Sequence, residues 1–330
     1  MRTRTAAAPP AENRTAAIEQ LAADTSLSPE RIARVVEDAV AATYRRLVED
    51  DPEVRARVDP EHGRWQVYRE LPDGGEVVLQ VGIPDFERQA AAAVRNAVAG
   101  EVAEVARRKV LDVGSSRHGE LVDAILERPD GAGPAWYVDA AGVPGYLPAD
   151  EQIPGERLER RRHIKVVVLE GRRRMRDAVL VVSRTHPLLL QRLLEQEVPE
   201  LQSGQVVVRG IAREPGRRSK VAVEAPDGDL DPQGACIGPR GVRQRAVTSE
   251  LGEEQVQIVA WSADPATFVG NALIPATVLG VELDDVAHTA HIEVPGDQLS
   301  LAIGRSGENA RLAFKLTGWR IDIRGGPAPG

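Results

Sequence analysis

The sequence predicts a multidomain α+β protein: a helix-rich α/β N-terminal domain, a small β-barrel, and two tandem units of one mixed design. Three observations predict it. With 330 residues, 42% of them hydrophobic and 28% charged, the chain is long enough for several cores of ordinary composition. Its apolar pattern changes near Gly114-Ser115-Ser116 from helical spacing to short strands separated by turns. From Leu188 onward, the order helix-strand-strand-helix-loop-helix-strand occurs twice. The expected boundaries are a disordered tail at 1–13, the N-terminal domain at 14–112, the barrel at 113–185, and the repeated units at 186–262 and 263–326.

The tail is rich in alanine and proline and lacks the continuous apolar run of a signal peptide. From Arg14, the residues Ile18, Leu21 and Ala22 suggest a short helix. Ser28-Pro29-Glu30 opens another, an N-cap followed by proline at the first helical position, with Ile32, Val35, Val36, Ala39, Val40 and Tyr44 as its apolar face. Asp59 to Gly63 reads as a turn, Trp65 to Tyr68 and Val77 to Val81 as strands, and Phe86 to Leu111 as a long alanine-rich helix. Five short strands follow, at Gly119–Leu126, Ala135–Asp139, Val143–Leu147, His163–Leu169 and Ala178–Ser183. Five strands in so short a stretch fit an S1/OB-type barrel. Trp136, Tyr137 and Tyr146 fall on its second and third strands, where such barrels stack bases; filling the barrel is the equal alternative.

In the repeat, a shift of 66 residues sets Gly238 on Gly304, Gly241 on Gly307, Arg245 on Arg311 and Gly252 on Gly318. Each copy carries Gly-x-x-Gly between two helices, and a strand closes each: Val256-x-Ile258 and Ile321-x-Ile323. Ala310, Ala313, Phe314 and Thr317 are the expected buried face of the second copy's last helix. These are the features of tandem prokaryotic-type (type II) K-homology (KH) domains, which hold single-stranded RNA. The chemistry needs glycine because a phosphodiester must come close to the backbone, and the helix opening behind the loop offers free N–H groups and a favourable dipole. The expected RNA-binding residues are Gly238, Pro239, Arg240, Gly241, Arg243 and Arg245, with Gly304, Arg305, Ser306, Gly307, Arg311 and Lys315 in the second copy. A single such loop is as readily a plain tight turn; its recurrence in one context argues otherwise.

The totals set bounds. The net charge of -8 argues against a uniformly basic nucleic-acid binder, and the acidic Glu308 beside the second loop implies modest, salt-sensitive affinity. Residues 113–186 are the least acidic part, with arginine triplets at Arg160-Arg161-Arg162 and Arg172-Arg173-Arg174. One cysteine, Cys236, excludes an intramolecular disulfide and suits a reducing cytoplasm. No run reaches the length of a membrane span. His288-x-x-His291 has no third ligand at metal spacing and reads as a solvated strand edge. Gly-x-Ser-x-Gly and the nucleotide-binding Gly-x-x-x-x-Gly-Lys-Ser/Thr are both absent, so no enzyme, cofactor or metal is expected.

The words Asp231-Pro-Gln-Gly-Ala-Cys-Ile-Gly-Pro-Arg-Gly241, Gln244 to Gly252, and Leu299-Ser-Leu-Ala-Ile-Gly-Arg-Ser-Gly-Glu-Asn-Ala-Arg-Leu-Ala313 resemble the two KH loops of the NusA family of bacterial transcription factors. The resemblance covers essentially the whole chain. It implies a cytoplasmic, monomeric factor whose N-terminal domain binds RNA polymerase. The barrel and KH domains would engage nascent single-stranded RNA to modulate pausing, termination and antitermination with other Nus factors. Some relatives carry acidic helical repeats after the second KH domain; the chain ends at Gly330, so a short form is expected. Val143-Pro-Gly-Tyr146 departs from the Gly-Phe/Tyr-x-Gly-Phe/His pattern of many S1 barrels. A ribosome-associated assembly or translation factor is the alternative, and an RNA-processing enzyme subunit a further one.

Overall fold

A computed structural model describes residues 22–326 apart from 24, 26, 59–64, 83 and 132. The expected tail, the pattern of Ile18 and Leu21, and the turn at Asp59–Gly63 lie outside the described residues. The chain divides into two compact units, Met1–Lys109 and Val110–Gly330.

In the first unit, helix α1 (Pro29–Leu47) starts where Ser28 accepts a hydrogen bond from the Arg31 N–H, and Arg45 and Arg46 lie in its last turn. Its buried stripe, Ile32, Val36, Val40 and Tyr44, recurs every fourth residue and packs with an antiparallel sheet of order β1 (Val54–Val58), β2 (Trp65–Glu70), β3 (Glu76–Val78). The sequence reading missed β1. Its Val-Arg-Ala-Arg-Val alternation buries Val54 and Ala56 while Arg55 and Arg57 face outward. Phe86, the first residue of helix α2 (Phe86–Ser116), meets Tyr44 edge to face at 6.2 Å.

Helix α2 runs beyond the expected end at Leu111 because Gly114 is a contact point, not a breaker. A Cβ there would lie 2.0 Å from the backbone nitrogen of Gly171, so two glycines let helix and strand touch. Five strands then close a barrel: β4 (Leu121–Pro129), β5 (Trp136–Ala140), β6 (Val143–Leu147), β7 (His163–Arg174) and β8 (Asp177–Ser183), in the order β4-β5-β6-β8-β7. Antiparallel pairing of β4 with β7 closes it, and β6 and β8 run parallel. Val122, Ala124, Leu126, Val138, Leu147, Val166 and Leu180 are among the residues that fill its interior.

The first KH unit comprises α3 (Pro187–Glu197), α4 (Pro199–Gln202), β9 (Val207–Glu214), β10 (Arg218–Glu224), α5 (Pro232–Ile237), α6 (Val242–Glu250) and β11 (Gln255–Ala260). The second comprises α7 (Pro265–Ala272), β12 (Gly280–Asp284), β13 (Thr289–Pro295), α8 (Leu299–Ile303), α9 (Glu308–Thr317) and β14 (Arg320–Gly326). Each sheet joins an antiparallel pair to a parallel one, in the orders β11-β10-β9 and β12-β13-β14. The buried face of α9 is rotated from the expected one: Ala313 is buried as expected, and Ala310 and Thr317 are half-buried. Asn309, Leu312 and Ala313 are buried, whereas Phe314 is 48% exposed.

Barrel and KH domains are welded by charges. The fully buried Arg184 donates to both oxygens of Glu156 (2.6 and 2.8 Å), to Glu250 Oε1 (3.0 Å), and to the carbonyls of Lys165 and Glu250. Between the KH domains, Gly210 of β9 leaves room for Leu316 of α9. Lys220, also fully buried, donates to Gln257 Oε1 (2.7 Å) and across the junction to the Ile274 carbonyl (3.0 Å). Burial, with Arg218 as the nearby charge, pulls the Lys220 ammonium down to about 7. The strand registers put His291 and Asp322 of the second domain where Lys220 and Gln257 stand in the first. There the face carries Glu282, His291, Glu293, Asp322 and Arg324, a charged surface in place of the Lys220 contact.

The Lys220 shift has a testable sign. Between pH 7 and 10.5 the unfolded chain holds a proton at Lys220 that the folded chain has lost, so this group's contribution to stability rises with pH across that window. Only above pH 9 is the rise opposed, by the buried Cys236 thiol, whose folded-state proton is held to about 12. Below the window, both states are protonated and the burial penalty is present in full. Urea unfolding between pH 7 and 9 should show this rise, with a limiting slope of roughly 1.4 kcal/mol per pH unit, in the native protein and not in Lys220→Met. Parallel pH profiles for the two proteins would show that Lys220 is not the titrating group.

Candidate nucleic-acid interface

The two loops have one backbone conformation. Gly238 and Gly304 sit at φ 73°, ψ 171° and φ 77°, ψ 168°; Gly241 and Gly307 at φ 72° and 73°. Between them Arg240 and Ser306 both take φ 53°, a left-handed value unusual outside glycine. Each loop closes with the same bonds, Gly241 N–H to the Gly238 carbonyl (2.9 Å) and Gly307 N–H to the Gly304 carbonyl (3.1 Å). A short helix, α5 or α8, leads in, and α6 or α9 opens immediately behind.

Beneath the first glycine each loop has a post. A Cβ on Gly304 would lie 2.7 Å from the Asn309 backbone nitrogen, and one on Gly238 would lie 2.7 Å from Arg243 Cγ. At the 66-residue shift Arg243 and Asn309 are equivalent, and both bind the helix before the loop. Arg243 donates to the Ala235 carbonyl (2.6 Å) and pairs with Glu200 (2.8 Å); Asn309 donates to the carbonyls of Ala302 (3.0 Å) and Leu273 (3.1 Å). Arg245 and Arg311 are equivalent too, donating to the carbonyls of Arg240 (2.6 Å) and Ser306 (3.2 Å).

Arg311 does more. Its guanidinium forks onto Glu214 of the first KH domain (2.6 and 2.7 Å), and Lys315 joins the same carboxylate at 3.3 Å. These bonds, Arg311 first, hold the Glu214 carboxyl at about 2. Of the basic residues expected at the interface, Arg243, Arg245, Arg311 and Lys315 thus bond within the protein. Pro239, Arg240, Arg305 and Ser306 are exposed at the loop tips.

Two features escaped the sequence reading. Arg217 and Arg218 reach Glu308 at 3.2 and 3.9 Å, so the acid beside the second loop is neutralised from the first domain. Buried Glu254 orders that hairpin by accepting both arms of Arg213, the Ser219 hydroxyl and the Gly216 N–H. The second feature is apolar: Val242, Leu301 and Ile303 are exposed around the loops and can meet unstacked bases. No local sequence signal marks either one, since the arginines lie some ninety positions from Glu308.

On the barrel, Trp136 packs against the interior while Tyr137 and Tyr146 face outward, 5.4 Å apart and tilted by 65°. Arginines cover both outward rings: Arg128 lies 4.0 Å from the centroid of Tyr137 and Arg174 4.0 Å from that of Tyr146. Cys236 is buried, which pushes its thiol up to about 12. The histidines are not a bare solvated edge. His288 stacks on Trp319 at 4.2 Å, and His291 bonds Asp322 at 2.8 Å. Among the described residues no group of three or more His, Cys, Asp or Glu could hold a metal ion, and no helix is long and apolar enough to cross a membrane.

The two glycines of the second loop should respond differently to alanine. Gly304→Ala meets the Asn309 backbone from a conformation essentially reserved for glycine and should cost roughly 3 kcal/mol or more. Nothing lies within 4 Å of a Cβ on Gly307, so Gly307→Ala should cost only the left-handed conformation, roughly 1 kcal/mol. Thermal or urea unfolding of the two variants checks the difference.

Family models described as NusA-like first KH domain, NusA-like second KH domain and NusA N-terminal domain match residues 184–261, 265–326 and 15–73. A Mycobacterium tuberculosis protein named transcription termination/antitermination protein NusA is 37% identical over 324 residues, covering 95% of this chain and 93% of its own. Proteins of the same name from Bacillus subtilis and Thermus thermophilus are each 36% identical, covering 93% and 92% of this chain and 89% and 88% of their own.

Proposed function

The chain belongs to the NusA family, and from that premise we propose that it associates with RNA polymerase and carries the nascent transcript across its two KH loops, modulating pausing, termination and antitermination. One observation carries the RNA part: two Gly-x-x-Gly loops of the same conformation stand on domains joined by Glu214, Lys220 and Glu308. The exposed tips, Pro239-Arg240 and Arg305-Ser306, approach the phosphates. Arg243 and Arg245 act from within the first loop as its scaffold, and Arg311 and Lys315 set the angle between the domains. The glycines admit the phosphodiester backbone, and exposed Val242, Leu301 and Ile303 meet the bases.

Polymerase is assigned to the N-terminal unit because residues 15–73 match the family's N-terminal model. The factor works as a monomer in the cytoplasm, in company with other Nus factors. Its role is regulatory and not catalytic. RNA affinity from a protein with net charge -8 is modest, so polymerase delivers the transcript that the loops then hold.

Replacing Pro239 and Arg240 together with aspartate, or Arg305 and Ser306 together, puts carboxylates where phosphates approach. Each pair should weaken RNA binding by about tenfold and flatten its salt dependence, with circular dichroism unchanged. In transcription across a pause site and an intrinsic terminator, the native protein should lengthen the pause and shift the terminated fraction, and both variants should do so less. Native behaviour of both variants in both assays would remove the loops from the mechanism.

A further inference from the structure

We propose that the barrel contacts RNA through arginine laid on tyrosine, with Arg128 binding the sugar-phosphate backbone, and does not stack bases on its rings. The inference rests on the reading of the protein as an RNA binder and adds a contact point outside the two KH loops. Stacking a base needs a bare aromatic face. The outward face of Tyr146 carries Arg174 at 4.0 Å, and that of Tyr137 carries Arg128 at 4.0 Å.

Arg174 is fastened in place. It pairs with Asp130, donates to the Tyr137 hydroxyl at 3.2 Å, and lies 5.8 Å from the Tyr137 centroid as well. Asp130 also accepts from the Tyr146 hydroxyl at 3.0 Å, so Asp130, Arg174 and the two tyrosines form a closed network. A base could reach Tyr146 only by breaking that network. Arg128 differs: it is exposed at the end of β4, rests on Tyr137, and no carboxylate pairs with it among the described residues. The ring supports its guanidinium at 4.0 Å, and no hydrogen bond engages its N–H groups among the described residues, which leaves them for phosphate oxygens that match a planar fork. Arg172, on the neighbouring β7, already bonds Glu170 at 2.7 Å. Arg128 is therefore the outward-facing donor and Tyr137 its support. Such a contact is indifferent to base identity and sensitive to salt.

The test uses the full-length protein with fluorescently labelled oligo(A) and oligo(U), titrated over a range of potassium chloride. Arg128→Gln should weaken both RNAs by the same factor, roughly threefold, and lower the slope of log affinity against log salt by about 0.7. Tyr137→Leu should cost no more than Arg128→Gln, and the double variant no more than either, because ring and guanidinium make one contact. A Tyr137→Leu loss far greater for oligo(A) than for oligo(U) would mean that the ring stacks bases, and would overturn the proposal. So would an unchanged salt slope in Arg128→Gln. If Tyr137→Leu unfolds, as a thermal melt would report, the Arg128→Gln slope decides alone. The Pro239→Asp, Arg240→Asp protein separates the two levels. Loss there with none in Arg128→Gln refutes only the barrel contact; loss in neither refutes RNA binding by both surfaces.

Discussion

Glu214 is the point on which the tandem arrangement turns. Its carboxylate ends β9 of the first KH domain and receives Arg311 and Lys315 from α9 of the second. A planar guanidinium forked onto a carboxylate fixes direction as well as distance, so it sets the angle between two domains better than an apolar patch can. Lys220 on the Ile274 carbonyl and Glu308 between Arg217 and Arg218 add two more crossings of the same junction. The loops are thereby held at one spacing. A loop that grips a few nucleotides binds weakly, but a second loop at fixed reach meets the same strand at high effective concentration.

The same logic runs through the junction before it. Arg184 is buried between barrel and first KH domain, and its satisfaction by Glu156, Glu250 and two carbonyls is what makes that burial tolerable. Removing one partner would leave a charge in the interior, so the ion pairs specify which surfaces meet more than they add stability. The sheet face that holds Lys220 in the first domain is taken in the second by Glu282, His291, Glu293, Asp322 and Arg324, of which His291 and Arg324 both bond Asp322.

Much of this was legible in the sequence, for physical reasons. Repetition at 66 residues needs no knowledge of packing, and glycines at φ near 75° leave a mark because no other residue replaces them easily. Ser28-Pro29, the five barrel strands and the order of the KH elements follow from caps and periodicity alone. What was not legible lies in partnerships between distant positions. Strand β1 is the exception, since its Val-Arg-Ala-Arg-Val alternation is a local signal; the extension of α2 past Leu111 is not, because it rests on Gly114 meeting Gly171. The intramolecular bonds of Arg243, Arg245, Arg311 and Lys315 leave no local mark, because a basic residue beside a Gly-x-x-Gly loop looks the same whether or not a glutamate or a carbonyl engages it. Glu214 lies 97 residues from Arg311, and no local pattern connects them. The exposure of Phe314 was hidden in the same way, since helical spacing does not say which of two apolar faces meets the sheet.

The central claim is that the domain junction, and not either loop alone, sets affinity for a continuous strand. The direct measurement is the dissociation constant of a ladder of single-stranded RNAs of increasing length, for the native protein and for Glu214→Arg. The substitution repels Arg311 and Lys315 and adds positive charge, so a loss of affinity cannot come from electrostatic attraction to RNA. The account predicts that native affinity steps up once the RNA spans both loops, and that Glu214→Arg keeps short-RNA affinity while losing the step. An undiminished step in Glu214→Arg, or a smooth native ladder with no step, would contradict it.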